Sequence, residues 1–348
     1  MSEGFFRCEI KVHARVDSGN AVKSAAYQMK EVLKDERTGQ AHRKFSSSEL
    51  QHTQLFFPEP KMVPPGFEKP GKIWSEAEKA ETRKNSRVAR EALISLPYRF
   101  SLDARKKAVT LFCRWLNKEF GVVAMASLHA EKFKHAAEVA GDRSKRWFAS
   151  EKGGSILTDR NAHAHVLFST RRFSDRFGEK TREFDDKVTG PKVIKKIRKA
   201  WARVLNLVAQ AFGHKERFTH LSLKERGINR EPTKPLGLVG AWMESIGIES
   251  ENGTYNRTAR KINALRAEIE QEQRQAERQA QKESAARVNK KAREILVGSS
   301  PVEPVASVEM PEKAHQIPAT VEETSIEKKT KGVRVRKNKP SYGPDLSL

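Results

Sequence analysis

The amino-acid sequence predicts an α+β fold in which helices pack on a central sheet, followed by a long charged helix and a disordered tail. Short runs of β-branched and aromatic residues alternate with capped amphipathic stretches over the first two thirds of the chain. Residues 256–296 are mostly Gln, Glu, Arg, Lys and Ala, which predicts a solvated helix. From residue 298 onward Pro, Ser, Glu and Lys dominate, a composition typical of disorder.

Composition also divides the chain of 348 residues into three parts. A hydrophobic content of 37% and a mean hydropathy of −0.70 indicate one apolar core with a polar extension. We therefore predict one folded domain, large enough for a catalytic site, over residues 1–240. A charged helical extension over 241–297 and a disordered basic tail over 298–348 follow it. Within that tail, Lys328 to Lys339 contains seven basic residues and no acidic one.

The first predicted elements are a strand and a helix. Residues 5–16 alternate between apolar and polar side chains, as a strand of the central sheet does. Ser18, Gly19 or Asn20 can cap a helix that begins near Ala21. Tyr27 falls in that helix, where a tyrosine taken alone is typical of an amphipathic core residue with its hydroxyl at the rim.

The next segment is predicted to be a loop, a helix and a strand. Residues 36–72 are rich in Gly, Pro, Ser and Gln and indicate a long surface loop. A charged helix then runs from Trp74 through Arg90, and Ala92 to Pro97 forms a strand that proline closes. Glu91 lies at this junction, where it either takes a proton from a nucleophile or neutralises nearby arginines.

Two histidines on one short strand are the centre of the predicted site. Residues 161–171 form an apolar, β-branched run, and side chains two apart on a strand point to one face, so His163 and His165 converge. A catalytic metal site needs a third protein ligand and an open position. His129 ends the strand-like run from Val122, and an antiparallel neighbour would place its ring beside the pair. His135 is a rival third ligand.

Two helices and one insertion surround these strands. Residues 101–120 are a capped amphipathic helix expected to pack on the back of the sheet, and residues 191–212 form another helix with a basic outer face. The basic, Gly-containing interval of about 30 residues before the histidine strand is most simply a long hairpin or insertion.

Charge indicates the class of partner. The formal net charge is +23, so a polyanion such as nucleic acid is the expected partner. The sequence contains no apolar run long enough to insert into a membrane, no secretory signal pattern and no Walker-type phosphate loop. Cys8 and Cys113 form neither a zinc motif nor a disulfide framework, which fits a reducing cytoplasm.

Four stretches, taken in this order, resemble the MobA/MobL (MobQ-class) conjugative relaxases of mobilisable plasmids, over roughly residues 1–240. They are Ser24-Ala25-Ala26-Tyr27, Glu81 to Pro97, His129 with Asn161-Ala162-His163-Ala164-His165, and Gly227 to Pro232. The resemblance implies a histidine-hydrophobe-histidine (HUH) endonuclease fold with an antiparallel sheet of about five strands. It further implies that Tyr27 is the nucleophile, that His129, His163 and His165 bind a metal, and that Glu91 is an acidic residue of the active site.

Three departures from the family pattern stand out. Gln28 follows the tyrosine where the family commonly has Arg, and the interval before the second histidine is longer than usual. The family's Asp-His-Arg-Ser stretch is here Thr219-His220-Leu221-Ser222, so we assign no catalytic work to that region.

The implied activity is nicking of one strand at an origin of transfer. A tyrosine hydroxyl has a reference pKa of about 10 and needs a cation or base to attack a phosphate. Histidine ligands suit Mn, Zn, Co or Ni, while Mg remains a candidate because it is abundant and phosphate adds oxygen ligands. Expected partners are single-stranded or melted origin DNA, accessory relaxosome proteins and a type IV secretion coupling protein, in the bacterial cytoplasm, with transfer of the protein to a recipient cell alongside the DNA.

Three other functions remain open on the sequence. A rolling-circle replication initiator or transposase uses the same ligands and the same chemistry. A metal hydrolase would cut nucleic acid with activated water, and Tyr27 would then be structural. A basic relaxosome protein without catalysis would carry the histidine pair incidentally.

Overall fold

The computed structural model describes residues 3–43 and 49–298 of the chain. The α-helices are α1 (Ala21–Met29), α2 (Pro70–Lys79), α3 (Leu102–Phe120), α4 (Thr189–Ala211), α5 (Gly237–Ser245) and α6 (Glu251–Gly298). The strands are β1 (Cys8–Ala14), β2 (Leu33–Lys34), β3 (Ala41–His42), β4 (Leu50–Phe56), β5 (Arg87–Ser95), β6 (Val122–His129), β7 (Phe133–His135), β8 (Phe148–Ala149), β9 (Ile156–Thr158), β10 (His163–Phe173) and β11 (Phe177–Lys180).

The main sheet has the strand order β1-β5-β10-β6-β4, and β11 forms a hairpin with β10. Every pairing in it is antiparallel. The predicted α+β class with an antiparallel sheet of about five strands is therefore confirmed, with β11 as a sixth strand. A smaller sheet, β7-β9-β8, lies within the insertion between His129 and His163.

The two faces of the main sheet bury different cores because side chains alternate along each strand. On β10, Ala164, Val166 and Phe168 join the core formed with α3 and α4, whereas Leu167 joins the core formed with α1 and α2. Trp201 of α4 and Phe112 of α3 are fully buried in the first core, with ring centroids 5.2 Å apart. Burial of a large apolar side chain of this kind stabilises a fold by about 1.5–3 kcal/mol.

Helix α1 is held at its first turn by two side chains. Asn20 Oδ1 accepts a hydrogen bond from the Lys23 amide at 2.8 Å, which confirms the predicted cap. The fully buried Glu78 accepts from the Ala21 amide at 2.7 Å and from Arg15 at 2.8 Å. Because amides at a helix N-terminus lack partners within the helix, these bonds fix where α1 begins.

The predicted loop over residues 36–72 was wrong in part, since it contains β4. Leu50–Phe56 pairs antiparallel with β6 as the last strand of the main sheet, with Leu55 opposite Met125. Its polar composition is also typical of a loop. Such a composition is tolerated in β4 because one edge of this last strand has no neighbouring strand in the described part of the chain.

The predicted helix from Trp74 through Arg90 was also wrong in its second half. Helix α2 ends at Lys79, and residues 87–95 form β5. Arg90 is only 1% exposed there and pairs with Asp185 at 2.6 Å. A charged side chain in a central strand is tolerated because that distant carboxylate pairs with it.

The chain divides into two compact units. The first extends to Lys261, and the second begins at Ile262, where its described part is the rest of α6 up to Gly298. The predicted long charged helix is confirmed, while a boundary after residue 240 stays a prediction and the tail beyond residue 298 lies outside the described residues. None of the helices described is both long and apolar enough for a bilayer span.

Candidate active site of three histidines and a tyrosine

Three imidazole rings meet at one end of strands β6 and β10. His129 is the last residue of β6, and the antiparallel register places it directly opposite His163, the first residue of β10. The ring centroids are 5.4 Å apart for His129 and His163, and 5.2 Å for each pair that includes His165. The register, together with the period of two along β10, therefore brings together the three histidines named from the sequence.

Hydrogen bonds determine which nitrogen of each ring is available. His163 Nδ1 donates to the Asn161 carbonyl at 2.7 Å, and His165 Nδ1 donates to Glu91 Oε1 at 2.7 Å. In the neutral form of either ring, Nε2 is then the nitrogen without a proton. The Nε2 atom of His129 is buried and has no hydrogen-bond partner. The cluster thus offers Nε2 lone pairs.

The site keeps two of these rings neutral. Burial, and next the neighbouring His165 and His163, lower the pKa of His129 to about 3. Burial also lowers the pKa of His163, although its bond to Asn161 opposes the shift. A neutral imidazole is the form that binds a metal, so neither ring has to lose a proton first at neutral pH.

Glu91 accepts hydrogen bonds from one histidine of the cluster, His165, and from a further histidine, His13. Its Oε1 accepts from His165, and its Oε2 accepts from His13 Nε2 and Gln28 Nε2, both at 3.0 Å. Burial alone would raise the pKa of Glu91, but the hydrogen bonds from His13 and His165 hold it well below its usual range. Glu91 is therefore an ionised acceptor at neutral pH. Gln28, the departure noted beside Tyr27, is a donor to this carboxylate.

His13 belongs to the same network and was missed from the sequence. It lies on β1, opposite Ala89 of β5, and its Nδ1 meets Ser24 Oγ of α1 at 3.2 Å. Ser24 belongs to the stretch that carries the family resemblance, but nothing local links it with His13. The chain Ser24, His13, Glu91 and His165 connects α1 with three strands of the sheet.

Tyr27 projects from α1 over this cluster. Its side chain is 44% exposed, and its ring centroid is 6.4 Å from that of His165 in an edge-on arrangement. The ammonium of Lys30 lies 4.4 Å from the centroid of the tyrosine ring. A hydroxyl-bearing side chain with a cation beside it, exposed next to three imidazoles, does not match the core role that a helical tyrosine has by default.

His135 does not join the cluster in this structure. It lies exposed on β7 of the small sheet, with Nδ1 3.4 Å from Ser155 Oγ. The register that brings His129 opposite His163 leaves His135 six residues further along the chain, in the insertion.

The donor set suits a divalent metal ion in part. Imidazole nitrogens are common ligands of Mn, Co, Ni and Zn, and His165 has the carboxylate partner that often orients such a ligand. Across residues 3–43 and 49–298, no three His, Cys, Asp or Glu side chains already stand in an arrangement that would hold a metal ion. Two observations support a metal site: the chemistry of the imidazole donors, and the buried His129 Nε2 atom that has no hydrogen-bond partner. The positions of the described side chains do not by themselves form a coordination site.

Comparison with known proteins finds a matching family model and several relatives by sequence. The model of the MobA/MobL family matches residues 19–246. The chain is 27% identical over 258 residues to "Mobilization protein MobL" of Acidithiobacillus ferridurans, an alignment that spans 72% of this chain and 65% of that protein. It is 23% identical over 282 residues to "Probable mobilization protein MobA" of Bifidobacterium longum, with 74% and 48% covered. The chain thus spans less than two thirds of these relatives.

One solved structure is also similar. It is described as "Molecular Basis of Vancomycin Resistance Transfer in Staphylococcus aureus", and it superposes with a TM-score of 0.48 and 19% identity. The match covers 63% of this chain and 99% of that one.

Proposed function

The chain belongs to the MobA/MobL family, and on that premise we propose that it is a relaxase that nicks one DNA strand at the origin of transfer of a mobilisable plasmid. The observation that carries the proposal is the position of Tyr27, exposed beside His165 at the edge of the three-histidine cluster. A nucleophile and a phosphate-binding site must lie this close for direct attack on phosphorus.

Tyr27 is the nucleophile of the proposed reaction. Its hydroxyl, on an exposed side chain, releases its proton to solvent as the phenolic oxygen attacks the scissile phosphorus. A phosphorus–oxygen bond to tyrosine forms, and the bond to the 3′ oxygen breaks. The products are a 5′-phosphotyrosine and a 3′-hydroxyl, which takes up a proton.

The three histidines are the proposed ligands of a metal ion that binds the scissile phosphate. His129, His163 and His165 would bind the metal through their Nε2 atoms, and Mn or Mg, or alternatively Zn, Co or Ni, fits this role. The chemistry that a divalent ion would supply when held by these residues is withdrawal of charge from the scissile phosphate. Glu91 Oε1 accepts a hydrogen bond from His165, so we propose that it positions this ligand.

The same residues can reseal the strand. The phosphotyrosine conserves the phosphodiester bond, so attack by a 3′-hydroxyl on it re-forms the DNA backbone and returns the Tyr27 hydroxyl without ATP. The net charge of +23 supports a single-stranded or locally melted origin as the substrate. Accessory relaxosome proteins and a type IV secretion coupling protein are the proposed protein partners, in the bacterial cytoplasm, with transfer of the covalent complex to the recipient.

Trapping the covalent intermediate tests the proposal. Full-length protein is incubated with manganese and a labelled single strand of the cognate plasmid origin, and a protein–DNA adduct is sought on a denaturing gel. Tyr27→Phe should form no adduct and cut no strand while it binds the DNA as before, because only the hydroxyl is lost. Tyr255→Phe, a hydroxyl removed from α6, is the matched control and should cut normally.

The other outcomes separate the alternative functions. Cutting without an adduct would indicate hydrolysis by activated water and end the assignment of Tyr27. An absence of both would leave a basic DNA-binding protein without catalysis. An adduct on a replication origin, but not on a transfer origin, would indicate a replication initiator.

A further inference from the structure

An arginine lies between two aromatic rings at the base of the insertion. The Arg160 Cζ atom is 4.6 Å from the ring centroid of Tyr98 and 4.5 Å from that of Phe148. All three side chains are partly exposed. A guanidinium in contact with two ring faces is held flat, and its N–H groups point outward from the edge of the stack.

The strand register places this stack close to the histidines. Ser95 pairs with His163, and the Leu96 amide donates to the Ala162 carbonyl at 2.9 Å. Tyr98 follows Ser95 by three residues, and Arg160 precedes His163 by three. Three residues span at most about 10 Å, so the backbone of the stack begins within that distance of the cluster.

The backbone that carries Arg160 is firmly tied. Asp159, 8% exposed, accepts from the Lys132 amide at 2.9 Å, from the Asn161 amide at 3.1 Å and from Lys145 Nζ at 3.1 Å. These bonds join the two ends of the insertion. Arg160 itself has a φ of 47°, in the left-handed region, and its amide donates to Thr158 Oγ1 at 3.1 Å.

Arg160 has no carboxylate partner among residues 3–43 and 49–298. Two arginines that are more deeply buried pair with acids, Arg105 with Glu131 and Arg90 with Asp185. The guanidinium N–H groups of Arg160 make no hydrogen bond within the described part of the chain. Its neighbours are aromatic rings, so the cation is arranged for an anion that the protein does not supply.

We propose that Tyr98, Arg160 and Phe148 form a clamp for the unpaired strand next to the scissile phosphate, an inference that rests on the proposed function. The outward edge of Arg160 binds a backbone phosphate, and the rings of Tyr98 and Phe148 stack on unpaired bases. Each ring has a second arginine beside it, Arg99 at 5.5 Å from Tyr98 and Arg146 at 5.3 Å from Phe148, and these side chains move aside or contact the same strand. Every base has a stacking face, so the clamp selects unpaired strands and not a particular sequence.

Equilibrium binding tests the clamp without any cleavage. The probes are a fluorescein-labelled oligothymidine of about 16 nucleotides and an abasic strand of equal length. Arg160→Ala should weaken oligothymidine binding about ten-fold or more and reduce the log–log salt slope by about 0.7. Arg203→Ala removes the same charge from an exposed position of α4 and should weaken oligothymidine binding less than about three-fold.

Two further variants separate stacking from charge. Arg160→Lys should keep the salt slope yet fail to restore affinity, because an ammonium lacks the flat face. Phe148→Leu should weaken binding of oligothymidine but not of the abasic strand. Thermal melts confirm that each variant is folded.

Equal losses of oligothymidine affinity in Arg160→Ala and Arg203→Ala would overturn the clamp. It would also be overturned if Arg160→Lys bound with full affinity and Phe148→Leu changed the affinities for oligothymidine and for the abasic strand equally. If the clamp fails but nicking still depends on Tyr27, the proposed function is retained. A wild-type protein that binds neither probe would overturn both.

Discussion

Nδ1 of His165 donates a hydrogen bond of 2.7 Å to Oε1 of Glu91, which an ionised carboxylate can only accept. Nδ1 of His165 therefore carries a proton, and in the neutral form of the ring Nε2 carries the lone pair. A carboxylate behind a histidine also makes that ring a better metal ligand. The buried Glu91 of β5 therefore influences how well His165 binds a metal.

Replacing Glu91 by Gln should reduce manganese affinity and origin cleavage about 10- to 100-fold, because the amide is a poorer acceptor for His165. The measurements are metal titration by calorimetry and the initial rate of nicking. Glu81→Gln is the control: this buried acid pairs with Arg171 and Lys180, both at 3.0 Å, and should affect stability alone. Equal losses of metal affinity in both variants would show that Glu91 is only structural.

Alanine at His129, His163 or His165 should remove bound metal and metal-dependent cleavage, since three imidazoles are the fewest protein ligands of such a site. Metal content after dialysis and nicking rate are the measurements. His135→Ala should change neither, because that side chain lies exposed in the small sheet. A loss of metal in His135→Ala with His129→Ala unaffected would reverse the choice of third ligand.

Acid should destabilise the metal-free protein through His129. Its pKa is lowered to about 3 in the fold, against about 6.5 in an unfolded chain. Between these values the unfolded chain binds more protons, so the free energy of unfolding falls as pH drops below about 6.5, by at most about 1.4 kcal/mol per pH unit from this group. Glu91, with its depressed pKa, adds a loss at lower pH, below about 4.3.

Urea melts at pH 7 and pH 5 in the presence of a chelator measure this dependence. His129→Asn should show a flatter change than the wild type. The same slope in both proteins would contradict a neutral, buried His129.

Truncation after Lys261 should leave origin nicking within a few-fold, whereas mobilisation between cells should fall sharply if the removed segment docks to the secretion apparatus. A shorter chain that ends at Gly240 should be less stable. It loses the fully buried Glu244, whose carbonyl accepts from the Arg143 amide of the insertion at 3.1 Å and whose carboxylate pairs with Arg257 at 2.9 Å. Nicking rate, thermal melting and mating frequency are the measurements. Unchanged mobilisation would leave the removed segment without the docking role.

Local patterns predicted a large part of this architecture. The strand bounds of Val122–His129, the cap of α1 at Asn20 and the shared face of His163 and His165 all agree with the structure. Each depends on residues a few positions apart, through the strand period of two or a helix's unpaired amides. The long charged helix α6 was predicted from composition in the same way.

Distant pairings decided the rest. The edge strand β4 forms because β6, some 70 residues later, offers it a partner, and β5 accommodates Arg90 because Asp185 lies 95 residues away. The same holds at the site, where His13 reaches Glu91 across 78 residues and Arg160 reaches Tyr98 from the far end of the insertion. The sequence by itself determined which side chains share a strand or a helix turn, because those spacings follow from backbone geometry. Only the tertiary structure decided which strands are neighbours and in what register, because that choice depends on burying both faces of the whole sheet at once.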